Sequence, residues 1–291
     1  MLSLHTNNAA LSAQNSLSRT QSTLSTSMTR LSTGFRINSA MDDAAGLQIA
    51  TRLKAQTSGM SVAMRNTQNS ISMLQTAEGA LDEVTNILTR MKDLATQAAD
   101  GSSSTADRTA MQSEFTSLSD ELGNIMGNTS FGGTGLLKKT GGKLATDVTF
   151  QIGASQAETM VGKFGTALTK VHTDIGLAAL QYDGEGVTPA AAAGTELTAN
   201  ANATIDTLKT AIESVSSLRS SLGAAANRLD HVHNNLANIS TNTKNATGRI
   251  MDVDFATESA TMTSNQMLMQ AGTAMLKQSN SMSSMVMSLL Q

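Results

Sequence analysis

The chain has 291 residues with Trp absent, one Tyr and six Phe, so aromatics reach only 2%, while 18 Met supply part of the missing bulk. Such a composition argues against an enzyme pocket, which is usually lined with aromatic and other apolar side chains, and favours narrow helix–helix seams of Leu, Ile, Met and Ala. A formal net charge of -3 leaves no basic footprint for nucleic acid, zero Cys excludes disulfides and thiolate chemistry, and no apolar run is long enough for membrane insertion.

At the start of the chain, Leu17, Leu24 and Leu31 recur every seven residues, with Met28 and Phe35 in alternate places. Residues 1–40 contain Arg19, Arg30 and Arg36, no acid, and much Ser and Thr. The N-terminus has neither a basic n-region nor an apolar h-region, so no Sec signal is expected, although the Arg and Ser content would also suit a mitochondrial presequence.

A second ladder runs through Leu53, Met60, Thr67, Leu74, Leu81, Leu88 and Ala95, with Met64, Ile71, Val84, Met91 and Ala98 filling its partner seam. Alternating steps of three and four predict a coiled-coil helix from about Lys54 to Ala99. A shorter helix follows, with Met111, Phe115, Leu118, Leu122 and Ile125 on one face.

The period then changes. Gly132, Gly133, Gly135, Gly141 and Gly142 punctuate the chain, and Val148, Phe150 and Ile152 alternate as in a strand, which predicts one or two β-hairpins over about 130–165. The stretch 181–198, with Gly184, Gly186, Pro189 and Gly194, reads as a loop.

Helical spacing returns at Ile205, Leu208, Ile212, Val215, Leu218, Leu222, Ala226, Leu229, Val232, Leu236 and Ile239, and continues through Ala246, Ile250 and Val253. A last stripe runs through Leu268, Ala271, Met275, Met282, Val286 and Leu289. The expected fold is mainly α, an elongated antiparallel helical hairpin or coiled-coil rod with a small β-hairpin region in the middle. Its two termini are poor in charge, and a thin Leu/Met seam gains little against chain entropy in isolation. Ends of that kind should order against copies of themselves.

No catalytic constellation emerges. His231 and His233 are two apart and point to different sides of a helix, so they cannot share a metal. Asp252, Asp254 and Glu258 lack the Gly and further oxygens of a calcium loop. Gly132-Gly133-Thr134-Gly135 is followed by no Gly-Lys-Ser/Thr. Asp42-Asp43 suits the start of a helix. No cofactor is expected.

Four collinear segments carry a family resemblance. Residues 31–50 (LSTGFRINSAMDDAAGLQIA), 71–98 (ISMLQTAEGALDEVTNILTRMKDLATQA), 129–158, and the end from Arg249-Ile-Met-Asp-Val-Asp-Phe through Gln270-Ala-Gly-Thr-Ala-Met-Leu to Gln291 closely resemble the bacterial flagellins. The resemblance implies a structural subunit that polymerises into an extracellular flagellar filament for swimming or swarming. It further implies export, unfolded, through the flagellar type III apparatus.

Three regions would follow from it. Residues 1–40 plus 252–291 would form a terminal coiled-coil domain lining the filament core, 41–180 plus 199–251 a helical rod domain, and 181–198 a short loop replacing the outer domains. Assembly seams would use Leu17, Leu24, Met28, Leu31, Leu268, Met275, Met282, Val286 and Leu289. The rod seam would use Leu74, Leu81, Leu88, Met91, Leu222, Leu229 and Leu236. Implied partners are further copies of the chain, an export chaperone on the C-terminal segment, and filament cap and junction proteins. The family's Toll-like receptor would meet Arg90, Leu94, Gln97 and Glu114. The start Met-Leu-Ser-Leu-His-Thr-Asn looks more like lateral than polar flagellins. Alternatives are a hook–filament junction protein or another secreted coiled-coil structural protein.

Overall fold

The computed structural model describes residues 7–183 and 194–289, with side chains through Met282. Helices α1 (Asn8–Thr33), α2 (Ala44–Ala99) and α3 (Thr105–Asn128) come first. Two hairpins follow, β1 (Ser130–Phe131) with β2 (Thr134–Gly135) and β3 (Val148–Gln151) with β4 (Thr159–Gly162). The remaining elements are α4 (Gly165–Ala178), α5 (Glu196–Ala199), α6 (Ala201–Met251) and α7 (Phe255–Leu289). They divide into two compact units, residues 1–57 with 241–291, and residues 58–240.

In the second unit, the faces of α2, α3, α4 and α6 share one apolar core. Leu81, Leu88, Met91, Leu218, Leu222 and Leu229 are all fully buried in it. Burying each such side chain is worth about 1.5–3 kcal/mol. Every residue of the expected rod seam is buried, and Leu236 packs in a smaller cluster with Met60 and Ala63. Arg219 of α6 reaches Glu78 and Asp82 of α2 at 2.7 and 2.8 Å. These bonds, Glu78 first, raise the guanidinium pKa.

The caps explain where helices begin. Ser104 and Asp107 form a reciprocal capping box on α3: the Asp107 N–H donates to Ser104 Oγ, and the Ser104 N–H donates to Asp107 Oδ2 at 3.0 Å. Gly132 and Gly133, at φ of +58° and +81°, make the two-residue turn joining β1 to β2. In β3, Val148 and Phe150 face the core and alternate with exposed Thr149 and Gln151.

Three differences from the sequence expectation stand out. Helix α2 begins at Ala44, ten residues before Lys54, because Asp43 Oδ1 caps it by accepting from Gly46 N at 2.8 Å. Helix α6 stops at Met251, so Val253 does not continue the stripe; its N–H donates instead to Gly34 O. Helix α4 was not expected at all, although Leu168, Val171, Ile175 and Ala178 step by three and four and are buried.

The segment 181–198 is pinned at both ends by one buried side chain. The Glu196 carboxylate accepts from Leu180 N at 3.1 Å, Gly194 N at 3.2 Å and Gln112 Nε2 at 2.7 Å, while Gln112 Oε1 accepts from Leu197 N. Residues 184–193 of that expected loop lie outside the described residues.

Candidate assembly surfaces

The first unit pairs α1 with α7. Asn7 caps α1 through its side chain, which accepts from Ala10 N at 3.1 Å. Gly34, at φ of +76°, ends the helix in the left-handed conformation that favours glycine. Just beyond it, Arg36 N donates to Met251 O and Val253 N to Gly34 O, tying the end of α1 to the link between α6 and α7. Asp42 steadies the turn into α2. Its carboxyl pKa is lowered by hydrogen bonds from the backbone of Ser39 and Asn38. Asp254 does the same at the start of α7, where the Thr257 hydroxyl, then Ala256 N, lower its pKa.

The helices run antiparallel. Asn7 Nδ2 donates to Ser279 Oγ at 3.2 Å, and at the other end Arg30 Nη1 lies 3.7 Å from Glu258 Oε2. On α1 the inward face is Ala10, Ala13, Leu17, Thr20, Leu24, Ser27 and Leu31, spaced three and four apart, with Leu24 and Ser27 buried and the others half-buried. On α7 it is Glu258, Met262, Asn265, Met269, Gly272, Leu276 and Ser279, all half-buried. Asn265 Nδ2 is buried with no hydrogen-bond partner among the described residues. An unmade bond of that kind costs roughly 1–3 kcal/mol, so the pairing is modest on its own.

The expected assembly residues therefore fall into two groups. Leu17, Leu24 and Leu31 fill the seam within the chain. Met28, Leu268, Met275 and Met282 are more than half exposed, and Met267 beside them is too. Val286 and Leu289 lie outside the residues whose side chains are described. The exposed stripe sits about 120° around α7 from the seam, at about 100° per residue. Sequence reading missed Met262, Met269 and Leu276 as the face toward α1. Their seven-residue spacing was a usable signal, but Asn265, Gly272 and Ser279 between them make it look polar.

In the other unit, Arg90 of α2 donates to Glu114 Oε1 of α3 from Nε and Nη2, at 2.9 and 2.7 Å. Both side chains are about half exposed. Gln97 is exposed about two helical turns further on, and Leu94 is buried between them. This face presents a fixed ion pair with one amide beside it.

None of the described helices is long and apolar enough to cross a membrane. No group of three His, Cys, Asp or Glu among the described residues is placed to hold a metal.

A chain whose ends pair in one helical unit while its middle forms another has a counterpart in known families. Residues 4–141 match the bacterial flagellin N-terminal helical region, and residues 205–290 match the bacterial flagellin C-terminal helical region. Across its whole length the chain is 36% identical to polar flagellin C of Vibrio parahaemolyticus, itself covered completely. The chain belongs to the bacterial flagellin family.

Flagellin A of Vibrio anguillarum is 35% identical, again with both chains covered in full. The alignment to the V. parahaemolyticus flagellin has 387 positions against 291 residues here, so 96 of its positions have no counterpart in this chain. A structure described as a putative flagellar hook-associated protein from V. parahaemolyticus covers 72% of this chain with a TM-score of 0.54 at 17% identity, a likeness of fold. As a flagellin, the chain is a structural subunit that polymerises with itself into the extracellular filament of the bacterial flagellum, and it is not an enzyme.

Proposed function

We propose that the two ends of this flagellin form the inner, self-assembling layer of the filament. Residues 1–40 plus 252–291 line its core, and 41–180 plus 199–251 form the rod domain around them. The short segment 181–198 stands in place of larger outer domains. The observation that carries this reading is the second apolar stripe of α7, Leu268, Met275 and Met282, left open while α1 fills the other seam. A helix with two apolar stripes is built to pack on two neighbours. Among the described elements α1 packs along α7, and the second neighbour is another subunit.

The same stripe suits an export chaperone, because long flexible Met side chains adapt to more than one partner surface. The chain travels unfolded through the flagellar type III apparatus and meets cap and junction proteins at the ends of the filament. The Arg90–Glu114 pair with Gln97 and the underlying Leu94 forms the surface for the Toll-like receptor of flagellin. Arg90→Ala should weaken receptor signalling by the free subunit, and unchanged signalling would remove this surface from consideration.

The decisive experiment is electron microscopy of concentrated protein after salting out with ammonium sulfate, which strengthens apolar association. Full-length chain should give long uniform filaments, and a chain lacking 1–40 and 259–291 should give none. Filaments from the truncated chain would overturn the assignment of assembly to the ends.

A further inference from the structure

Methionine is unevenly distributed between protected and open sites. Met60, Met91, Met126 and Met160 are at most 4% exposed in the core. Met267, Met275 and Met282 are 61, 67 and 58% exposed and share one side of α7, within an arc of about 80° at 100° per residue. Met262 and Met269 are half-buried against α1. Exposure governs how readily a thioether is oxidised, so this helix gathers oxidisable sulfurs on its unoccupied side.

We infer that Met267, Met275 and Met282 form an oxidation site for hydroperoxides, and that their conversion to sulfoxides stops the free subunit from entering the filament. In each step the sulfur lone pair attacks the outer oxygen of hydrogen peroxide. The S–O bond forms, the O–O bond breaks, and the departing hydroxide takes the proton of the transferred hydroxyl, leaving a sulfoxide and water. Sulfur is oxidised by two electrons and the peroxide is reduced by two. The product carries a strongly polar S–O group where an apolar tip stood. A face that must lose water to pack then holds three polar groups that prefer to keep it. The inference rests on the proposed role of this stripe in assembly. It adds that the stripe can be disabled chemically before assembly, whereas burial in the polymer would shield it afterwards.

The test treats dilute full-length chain with hydrogen peroxide, maps sulfoxides by peptide mass spectrometry, and measures the critical concentration for filament growth by sedimentation. Met267, Met275 and Met282 should oxidise at least about tenfold faster than Met91 and Met126. The oxidised chain's critical concentration should rise at least about tenfold. Methionine sulfoxide reductase with a dithiol should restore growth. In a Met28→Leu background, the triple variant Met267→Leu, Met275→Leu, Met282→Leu keeps an apolar helical stripe and should grow filaments before and after peroxide, even though Met41, 97% exposed, still oxidises. Equal oxidation rates at the stripe and the core would overturn the inference. So would unchanged growth of the oxidised chain, or a triple variant as sensitive as the parent. Failure of untreated chain to grow filaments would count against the assembly reading alone, because the order of oxidation is mapped without any filament.

Discussion

Gly272 of α7 lies against Leu17 of α1: a Cβ at position 272 would stand 3.4 Å from Leu17 Cδ1. The glycine allows the two helices to approach closely at mid-seam, between the end contacts of Asn7 with Ser279 and Arg30 with Glu258. The nearest obstacle is the tip of a flexible side chain, so one methyl fits with a small adjustment. Gly272→Ala should stabilise α7 by up to about 1 kcal/mol, the helix propensity gained. Gly272→Leu should force the helices apart. The temperature at which filaments dissociate, followed by circular dichroism, should rise for the first variant and fall for the second.

Core and assembly face should separate cleanly by substitution. Leu81→Ala removes a side chain with no exposed surface and should destabilise the free chain by about 2–5 kcal/mol. Leu268→Ala removes one that is 56% exposed and should change free-chain stability by no more than about 0.5 kcal/mol. The critical concentration for filament growth should nevertheless rise. Urea unfolding of each free variant, beside sedimentation of its filaments, distinguishes the two effects.

Arg219 bridges Glu78 and Asp82 from α6 to α2, and its removal leaves two carboxylates one helical turn apart with no cation between them. Arg219→Met keeps the aliphatic packing and should cost about 1 kcal/mol at low ionic strength. The loss should shrink as salt is added, since screening weakens both the attraction and the remaining repulsion. Thermal unfolding of both proteins across a salt series is the check.

Acid should act first on the turns. The carboxyl pKa values of Asp42, Asp107 and Asp254 are all lowered from 3.8, chiefly by bonds from the Ser39 backbone, the Ser104 hydroxyl and the Thr257 hydroxyl respectively. A folded-state pKa below the unfolded one means stability that is fully present above the unfolded value and lost as pH falls through the folded value. Helicity should therefore hold down to about pH 4 and decline below it. In the triple variant Asp42→Asn, Asp107→Asn, Asp254→Asn these sites no longer titrate, and the acid limb of a circular-dichroism titration should be shallower.

Much of the fold was legible because its long helices obey one period. The ladder through Leu74, Leu81 and Leu88 shares one buried core with Leu222 and Leu229. The two hairpins were legible from Gly132-Gly133 and from the alternation of Val148 and Phe150. The α1–α7 seam was half legible. Leu17, Leu24 and Leu31 announce themselves, but the facing positions include Asn265, Gly272 and Ser279, and a search for apolar residues settles on the open stripe instead. Glu196 carried no sequence signal, because its meaning depends on Gln112, 84 residues away, and on the backbone of Leu180.

Under the proposed replacement of outer domains by 181–198, that buried carboxylate bears on how flagellins could differ in size. Leu180 and Gly194 both donate to Glu196, so the intervening stretch leaves and rejoins the helices at one anchorage. Chain added there need not disturb either side, and each doubling of a flexible loop adds only about 0.6 kcal/mol of closure entropy. With 181–198 standing in place of outer domains, as proposed above, the anchorage would serve as a socket for variable cargo: the filament's outer face could be refitted while its packing rules stay the same.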